Sequence, residues 1–464
     1  MKEIIEKLNI KTANIEGLVS GEAVSYEEAR DSIRNPENFA KRIEDSIVEV
    51  SPKVFLTSKT IELGEGNFVN VYDLSYDNLD SEFTTEILTR TGPIYPHRIF
   101  VNENRNKSGD NEDTTVSCIN GAFFFLQDEI LLENPKEIIY NFNIRNYSVV
   151  GLPSVTRPAL FVTKDGHIHA RELNAKGVVR VGGNILRWVG GEPLAHKKTE
   201  SLGEDFEAIL FNSACCSIEY EDPNDKTTLR KLRKDLNKTP YDVNCFDVVV
   251  SVDNDDSLYV SEINTQGGTD FFSGNFILQI NKNKYESIKI GDKVIPETID
   301  GLNINDIKSA MTTGPNVDHF LENDDHDINH DLSLGSFPPF DPHARYARSV
   351  MYEGNDGHVH MVVFDAVPRS NYMKGVTPKE AAEILPKDIK WSVFLDGGQS
   401  SRITFTSTET VIYDLNIDAR GNKQYVRLNE RTKTSQVANT DDQFLWSGRG
   451  RPISSMILLK RKKA

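Results

Sequence analysis

Apolar and polar positions follow three different rhythms along this chain. Up to about residue 50 the spacing is helical. Ser25 followed by Glu28 has the spacing of a capping box, Asn35-Pro36 interrupts the pattern, and Phe39, Ile43 and Ile47 then recur at i, i+4 and i+8 as one apolar face of a second helix. From about Lys53 the rhythm shortens to that of strands. Residues 68–74, 116–125, 159–163 and 246–252 are short runs of β-branched and aromatic side chains. Turn sequences such as Lys164-Asp165-Gly166 and Asn254-Asp255-Asp256 punctuate them. Residues 321–331 lose periodicity altogether and read as an exposed insertion loop.

The most legible stretch is 359–401. His360-Met361-Val362-Val363-Phe364 is an apolar strand ending at Asp365. Thr377, Pro378 and Glu380 occupy the N-cap, first and third positions of a helix that continues through Ala381, Ala382, Ile384 and Leu385 and stops at Pro386. Trp391-Ser392-Val393-Phe394-Leu395 is a second apolar strand, ending at Asp396. Strand, helix and strand at this spacing predict a βαβ unit with two parallel strands in one sheet. The expected fold is therefore α+β: a strand-rich mixed sheet containing a parallel βαβ unit. A small helical N-terminal extension (1–50) would precede one catalytic domain (51–464) and serve as a cap or an oligomer contact.

Composition narrows the function classes. The chain has 464 residues, of which 38% are hydrophobic and 27% charged, as in a folded globular protein. Its 70 acidic and 53 basic side chains leave a formal charge of −17, against broad binding to nucleic acid, which needs a basic face. A few arginines in one cleft still suffice for a small phosphorylated ligand. No run reaches the roughly 20 apolar residues of a membrane helix, and the first residues lack the apolar core of a signal peptide. Cys118, Cys215, Cys216 and Cys245 show no C-x-x-C spacing; they read as reduced thiols, and a cytoplasmic location is the expectation.

Within the expected βαβ unit, Asp365 and Asp396 leave their strands at the same edge, where open α/β sheets place ligands. Strands about 4.8 Å apart, or twice that with one between, would hold two carboxyls near the ~5–10 Å that flanks a glycosidic bond. Each Asp has an ordinary alternative as a turn residue. For Asp396 that alternative is weakened by Gly397-Gly398-Gln399-Ser400-Ser401, which adds exposed amides and hydroxyls beside a carboxylate and suits an anionic, oxygen-rich ligand.

At this point the sequence resembles the phosphodiester glycosidase family. The family's Leu-Asp-Gly-Gly-Gly-Ser-Ser hallmark is similar to Leu395-Asp396-Gly397-Gly398-Gln399-Ser400-Ser401. Its Pro-Arg-Thr-Ala segment resembles Ala344-Arg345-Tyr346-Ala347, and a strand ending in Asp-Gly-Arg resembles Asp365-Ala366-Val367, where the Arg is replaced. Ile119-Asn120-Gly121-Ala122-Phe123-Phe124, Arg157-Pro158-Ala159-Leu160, Thr313-Gly314-Pro315, Gly375-Val376-Thr377 and Gly450-Arg451-Pro452-Ile453 extend the likeness in order over roughly residues 95–460.

The resemblance implies hydrolysis of the anomeric bond of a sugar-1-phosphodiester or a nucleotide-sugar-like substrate, with a carboxylate at the sugar and cations or amides at the phosphate. Asp396 is the first candidate for the carboxylate. Asp365 is the second, with Glu262, an acid within the apolar Val260-Ser261-Glu262-Ile263 run. Arg345, with Arg348 nearby, is the candidate phosphate ligand, because a guanidinium matches two phosphate oxygens. Asn120, Thr313, Gly314, Gly397, Gly398, Ser400 and Ser401 would complete the binding surface. His326 and His330 among Asp324, Asp325, Asp327 and Asp331 have no diagnostic ligand spacing, so no metal ligand is assigned. No cofactor is required by any motif, although a divalent cation bridging acids to phosphate stays open. A phosphodiesterase acting on a nucleotide or nucleotide second messenger, and a non-catalytic module that sequesters such a ligand, are the competing readings.

Overall fold

The computed structural model describes residues 46–64, 67–94, 114–122, 141–191, 205–215, 218–222, 225–232, 237–283, 287–322, 345–364, 366, 374–406, 412–417, 423–429, 434–438 and 453–462. Strands dominate them. A six-stranded sheet runs in the order Ser46–Ser51, Val54–Gly64, Asn67–Asp77, His358–Phe364, Arg348–Gly354, Ile389–Phe394, and every neighbouring pair is antiparallel. Both faces of this sheet are covered, which explains why its central strands read as continuous apolar runs rather than alternating ones. One face presents Leu56, Leu74, Met351 and Met361 to a core shared with Ile87, Ile119, Ile403 and Ile457 of a seven-stranded sheet. The opposite face presents Val71, Val350, Val362, Phe364 and Phe394 to Ala381 and Ala382 of the helix Pro378–Ile384. That helix starts as expected: the Thr377 side chain accepts from the Glu380 amide, the Glu380 carboxylate accepts from the Thr377 amide, and Pro378 stands at the first position.

A five-stranded sheet in the order Ser148–Gly151, Asn143–Arg145, Ile307–Thr312, Arg157–Thr163, Ile168–Leu173 adds Leu160, Val162 and Met311 to the first core. Next to it a sheet closes on itself. Lys176–Val181, Asn184–Gly190, Ala208–Phe211, Phe276–Asn281, Cys245–Val252, Leu258–Asn264 and Lys293–Ile299 pair in succession, and Lys293–Ile299 pairs back onto Lys176–Val181. The result is a seven-stranded barrel filled by Val179, Leu186, Trp188, Val248, Val260, Leu278 and other apolar side chains.

Two expectations are corrected. The architecture is all-β rather than α+β, and no parallel βαβ pair forms around the helix. Arg348–Gly354 lies between His358–Phe364 and Ile389–Phe394 and is antiparallel to both. The tight turn at Gly354 and Gly357 folds Arg348–Gly354 into a hairpin with His358–Phe364, and the far edge of that hairpin takes the third strand. Strand–helix–strand spacing is the same whether or not a strand is interposed, so the pattern could not distinguish them. The parallel pairing among the described strands is in the barrel, between Asn184–Gly190 and Ala208–Phe211. Ile47, expected on a helix face, lies in the strand Ser46–Ser51, paired with Thr57; the rest of the expected helical extension, 1–45, is outside the described residues. Of the expected strands, 68–74, 159–163 and 246–252 fall within Asn67–Asp77, Arg157–Thr163 and Cys245–Val252.

Candidate active site

The Asp396 turn is built by segments far apart in sequence. As the chain leaves Ile389–Phe394, the Leu395 amide donates to the Ser349 carbonyl (2.9 Å) and the Gly398 amide to the Ala347 carbonyl (2.7 Å). These two bonds flank Arg348 and hold it beside the turn. From the seven-stranded sheet, the Gly121 carbonyl accepts from the Asp396 amide (3.0 Å), and the Asn120 side-chain amide donates to the Asp396 carbonyl (2.7 Å). Asn120 is itself fixed, since its side-chain oxygen accepts from the Ser349 hydroxyl (2.6 Å). Gly121 is required by close approach: a Cβ there would collide with Ser455 Oγ and lie 2.8 Å from the Ser455 backbone carbon. On the other side, the Gly314 amide donates to the Phe394 carbonyl (2.7 Å) and the Phe394 amide to the Pro315 carbonyl (3.0 Å).

Asp396 itself is only 9% exposed, and Ser400 and Ser401, which follow it in a short 3-10 turn, are 2% and 0% exposed. Both serine hydroxyls are buried without a hydrogen-bond partner. A buried hydroxyl left unsatisfied costs about 1–3 kcal/mol, so two in adjacent residues beside a buried carboxylate mark a place where oxygen atoms from outside the fold are wanted. A bound water or a ligand oxygen meets the same need.

The arginines occupy the helix side of the six-stranded sheet. Arg348 is buried; its Nε donates to the Val376 carbonyl (2.9 Å), and its guanidinium carbon lies 5.7 Å from the Tyr346 ring centre and 5.9 Å from that of Phe394. Arg345 is half-buried and forms an ion pair with Glu380, whose other oxygen completes the capping box. Tyr346 and Val376 exchange two backbone hydrogen bonds (3.2 and 3.0 Å), and Gly375 sits at φ +83° so close that a Cβ would collide with the Tyr346 carbonyl.

Of the residues singled out in sequence, Asn120, Gly314, Asp396, Gly397, Gly398, Ser400 and Ser401 therefore meet in and around the turn, with Arg348 bracketed by its backbone bonds; the bonds of Arg345 go to Gly375 and Glu380, and the Thr313 amide donates to the Pro158 carbonyl (2.9 Å). Glu262 does not join them. It stands exposed on the barrel strand Leu258–Asn264, opposite Val249. Asp365, and His326 and His330 with their neighbouring acids, lie outside the described residues. Among the described residues no group of three or more His, Cys, Asp or Glu is placed to hold a metal ion. Sequence reading misses Ser349 and Ser455, which lie in apolar strands with no local signal. Tyr346 registers there only as a mismatch within a motif.

No family model matches the chain, and no curated protein sequence matches it. Solved structures do. A hypothetical protein from Synechocystis aligns at 13% identity and a TM-score of 0.49 over 90% of this chain, which spans 64% of that protein's length. A Burkholderia pseudomallei protein named as exported aligns at 14% identity and a TM-score of 0.42, over 84% of this chain and 74% of that one. The catalytic domain of zebrafish N-acetylglucosamine-1-phosphodiester α-N-acetylglucosaminidase, held auto-inhibited by its pro-peptide, aligns at 10% identity and 0.32, over 89% and 87%. The likeness is one of fold, and it is weak. What the site does is therefore argued from its own residues.

Proposed function

We propose that this chain is a hydrolase that cleaves the anomeric carbon–oxygen bond of a sugar-1-phosphodiester or nucleotide-sugar-like substrate at the Asp396 turn. The observation that carries this reading is the pair of buried, unpartnered hydroxyls of Ser400 and Ser401 in the turn that bears the buried Asp396. Sugar and phosphate oxygens are the kind of partner such donors lack.

In this reading Asp396 faces the anomeric carbon. It stabilises the positive charge that develops there and takes a proton from the attacking water. The water oxygen bonds to the anomeric carbon as the bond to the phosphate oxygen breaks, and that electron pair departs with the phosphomonoester. Phosphate is a good leaving group, so a strong general acid is not needed. Arg348, bracketed by the two backbone bonds to the turn, is the better placed arginine for the phosphate, and the ion pair with Glu380 gives Arg345 the task of holding the helix start against the Tyr346 segment.

The test is hydrolysis in ¹⁸O-labelled water with a panel of sugar-1-phosphodiesters and nucleotide sugars. Label in the released sugar is expected. Label in the phosphate would replace this reading with phosphorus–oxygen cleavage, and tight binding without turnover would make the chain a sequestering module.

A further inference from the structure

Tyr346 is a half-exposed aromatic ring (51%) one residue from the backbone that clamps the Asp396 turn. Single exposed aromatics are common on protein surfaces, but the backbone that carries this one is held from several directions. Its amide and carbonyl are both bonded to Val376, and Gly375 packs against its carbonyl oxygen. The guanidinium carbon of buried Arg348 lies over its ring, 5.7 Å from the ring centre, and about half of the residue's surface remains open to solvent. The backbone that carries the ring is thus fixed before any ligand arrives, and a tyrosine has only two torsions to order, so stacking on it costs little side-chain entropy.

Order along the site gives the ring a task. The Arg348 guanidinium carbon lies 5.9 Å from the ring of Phe394, two residues before Asp396, and 5.7 Å from that of Tyr346; with Asp396 at the sugar and Arg348 at the phosphate, as proposed, Tyr346 follows on the side of Arg348 away from Phe394. A group that stacks on Tyr346 is therefore the one carried on the far side of the phosphate. A flat heteroaromatic ring gains most from a tyrosine face backed by a guanidinium, through π stacking and the neighbouring cation.

From this geometry we infer that Tyr346 is a specificity-determining platform for a planar base on the leaving-group side, so that the substrate class is a sugar joined through its anomeric carbon to a nucleotide. The inference rests on the proposed reading of the Asp396 turn, and the experiment separates the two. With the full chain, kcat/KM is compared for a uridine-diphosphate sugar and for the methyl phosphodiester of the same sugar 1-phosphate, in the parent protein and in Tyr346→Phe and Tyr346→Leu. The parent is expected to favour the base-bearing substrate. Tyr346→Leu should lower that preference roughly tenfold, chiefly through KM, and Tyr346→Phe should keep it. Equal losses on both substrates, or no loss on either, overturn the inference.

A parallel calorimetric titration with uridine diphosphate and with inorganic pyrophosphate needs no turnover. Weaker binding of uridine diphosphate alone in Tyr346→Leu supports the platform even if neither diester is hydrolysed, an outcome that would sink the hydrolase reading but not this one. Equal weakening of both titrants, or of neither, overturns it.

Discussion

Two buried aspartates in this protein are surrounded very differently. Asp247 lies in the middle of a barrel strand, fully buried, and donors meet its carboxylate on every side: the Thr239 hydroxyl at 2.5 Å, the Gln279 side-chain amide at 2.9 Å, and both the hydroxyl and the amide of Thr269. Thr239 and Thr269 also bond each other through their backbones (2.8 Å), so the acid ties the segment around 239 to the segment around 269. Asp396 lies at the end of a strand. Its backbone is held by Asn120 and Gly121, and the next hydroxyls along the chain have no partner. An acid whose surroundings complete its hydrogen bonding belongs to the fold; in the proposed reading, an acid followed by unmet hydroxyls serves a ligand. That contrast, rather than burial or charge, separates the two.

The largest effect that tests the contrast is on turnover. Asp396→Asn should lower hydrolysis of the best substrate by about 10²–10⁴-fold, with the urea midpoint of unfolding nearly unchanged; a variant that keeps its activity would place the chemistry elsewhere. The reverse pattern is expected for Asp247→Ala. Leaving the Thr239, Thr269 and Gln279 donors without an acceptor should cost roughly 1–3 kcal/mol of stability by urea unfolding, while kcat of the folded fraction stays at the parent value.

A pH series sharpens the same point. Burial pushes the Asp247 carboxyl above the usual carboxylate range, against the pull of its hydrogen bonds from Thr239, Thr269 and Gln279. A folded-state value above the unfolded one means the folded protein holds the proton more tightly. The resulting stability is complete below the ordinary Asp range near 3.9 and is lost as pH rises through the raised value. Measured against Asp247→Asn, the parent should therefore lose ground in urea midpoint as pH rises above about 4, by no more than about 1.4 kcal/mol per pH unit. A flat difference would mean the carboxyl titrates normally.

The smallest expected change is the most diagnostic. Removing the unpartnered Ser400 hydroxyl with Ser400→Ala should raise, not lower, the stability of the empty protein, by about 1 kcal/mol, yet weaken substrate binding in calorimetry. A large loss of stability would show that the hydroxyl is already satisfied within the fold.

Much of the site is legible in the amino-acid sequence. Asp396 with its glycines and serines, Asn120 and the two arginines all stand out there, because a carboxylate, amides and hydroxyls in one short turn have a chemical signature independent of fold. Glu262 stands out for an equally local reason, an acid in an apolar run, but its strand turns that position to solvent. Arg345 reads as a phosphate ligand, and the fold gives it Glu380 instead, a partner 35 positions away that no local pattern reveals. Ser349 and Ser455 leave no trace in sequence because their role is to meet Asn120 and Gly121 across a sheet interface.

By itself the sequence determined the strands around 68–74, 159–163, 246–252, 360–364 and 391–395, where the helix Pro378–Ile384 begins, and that Asp396 sits in a glycine turn. Each of these follows from sterics and hydrogen bonding among residues a few positions apart. Tertiary structure alone decided that Arg348–Gly354 enters between the two strands that flank the helix and that seven strands close into a barrel. It also decided that Arg348 and Tyr346 stand next to the turn. Those outcomes depend on which strand edges meet, and edges are matched by packing between residues tens to hundreds of positions apart, which no periodicity records.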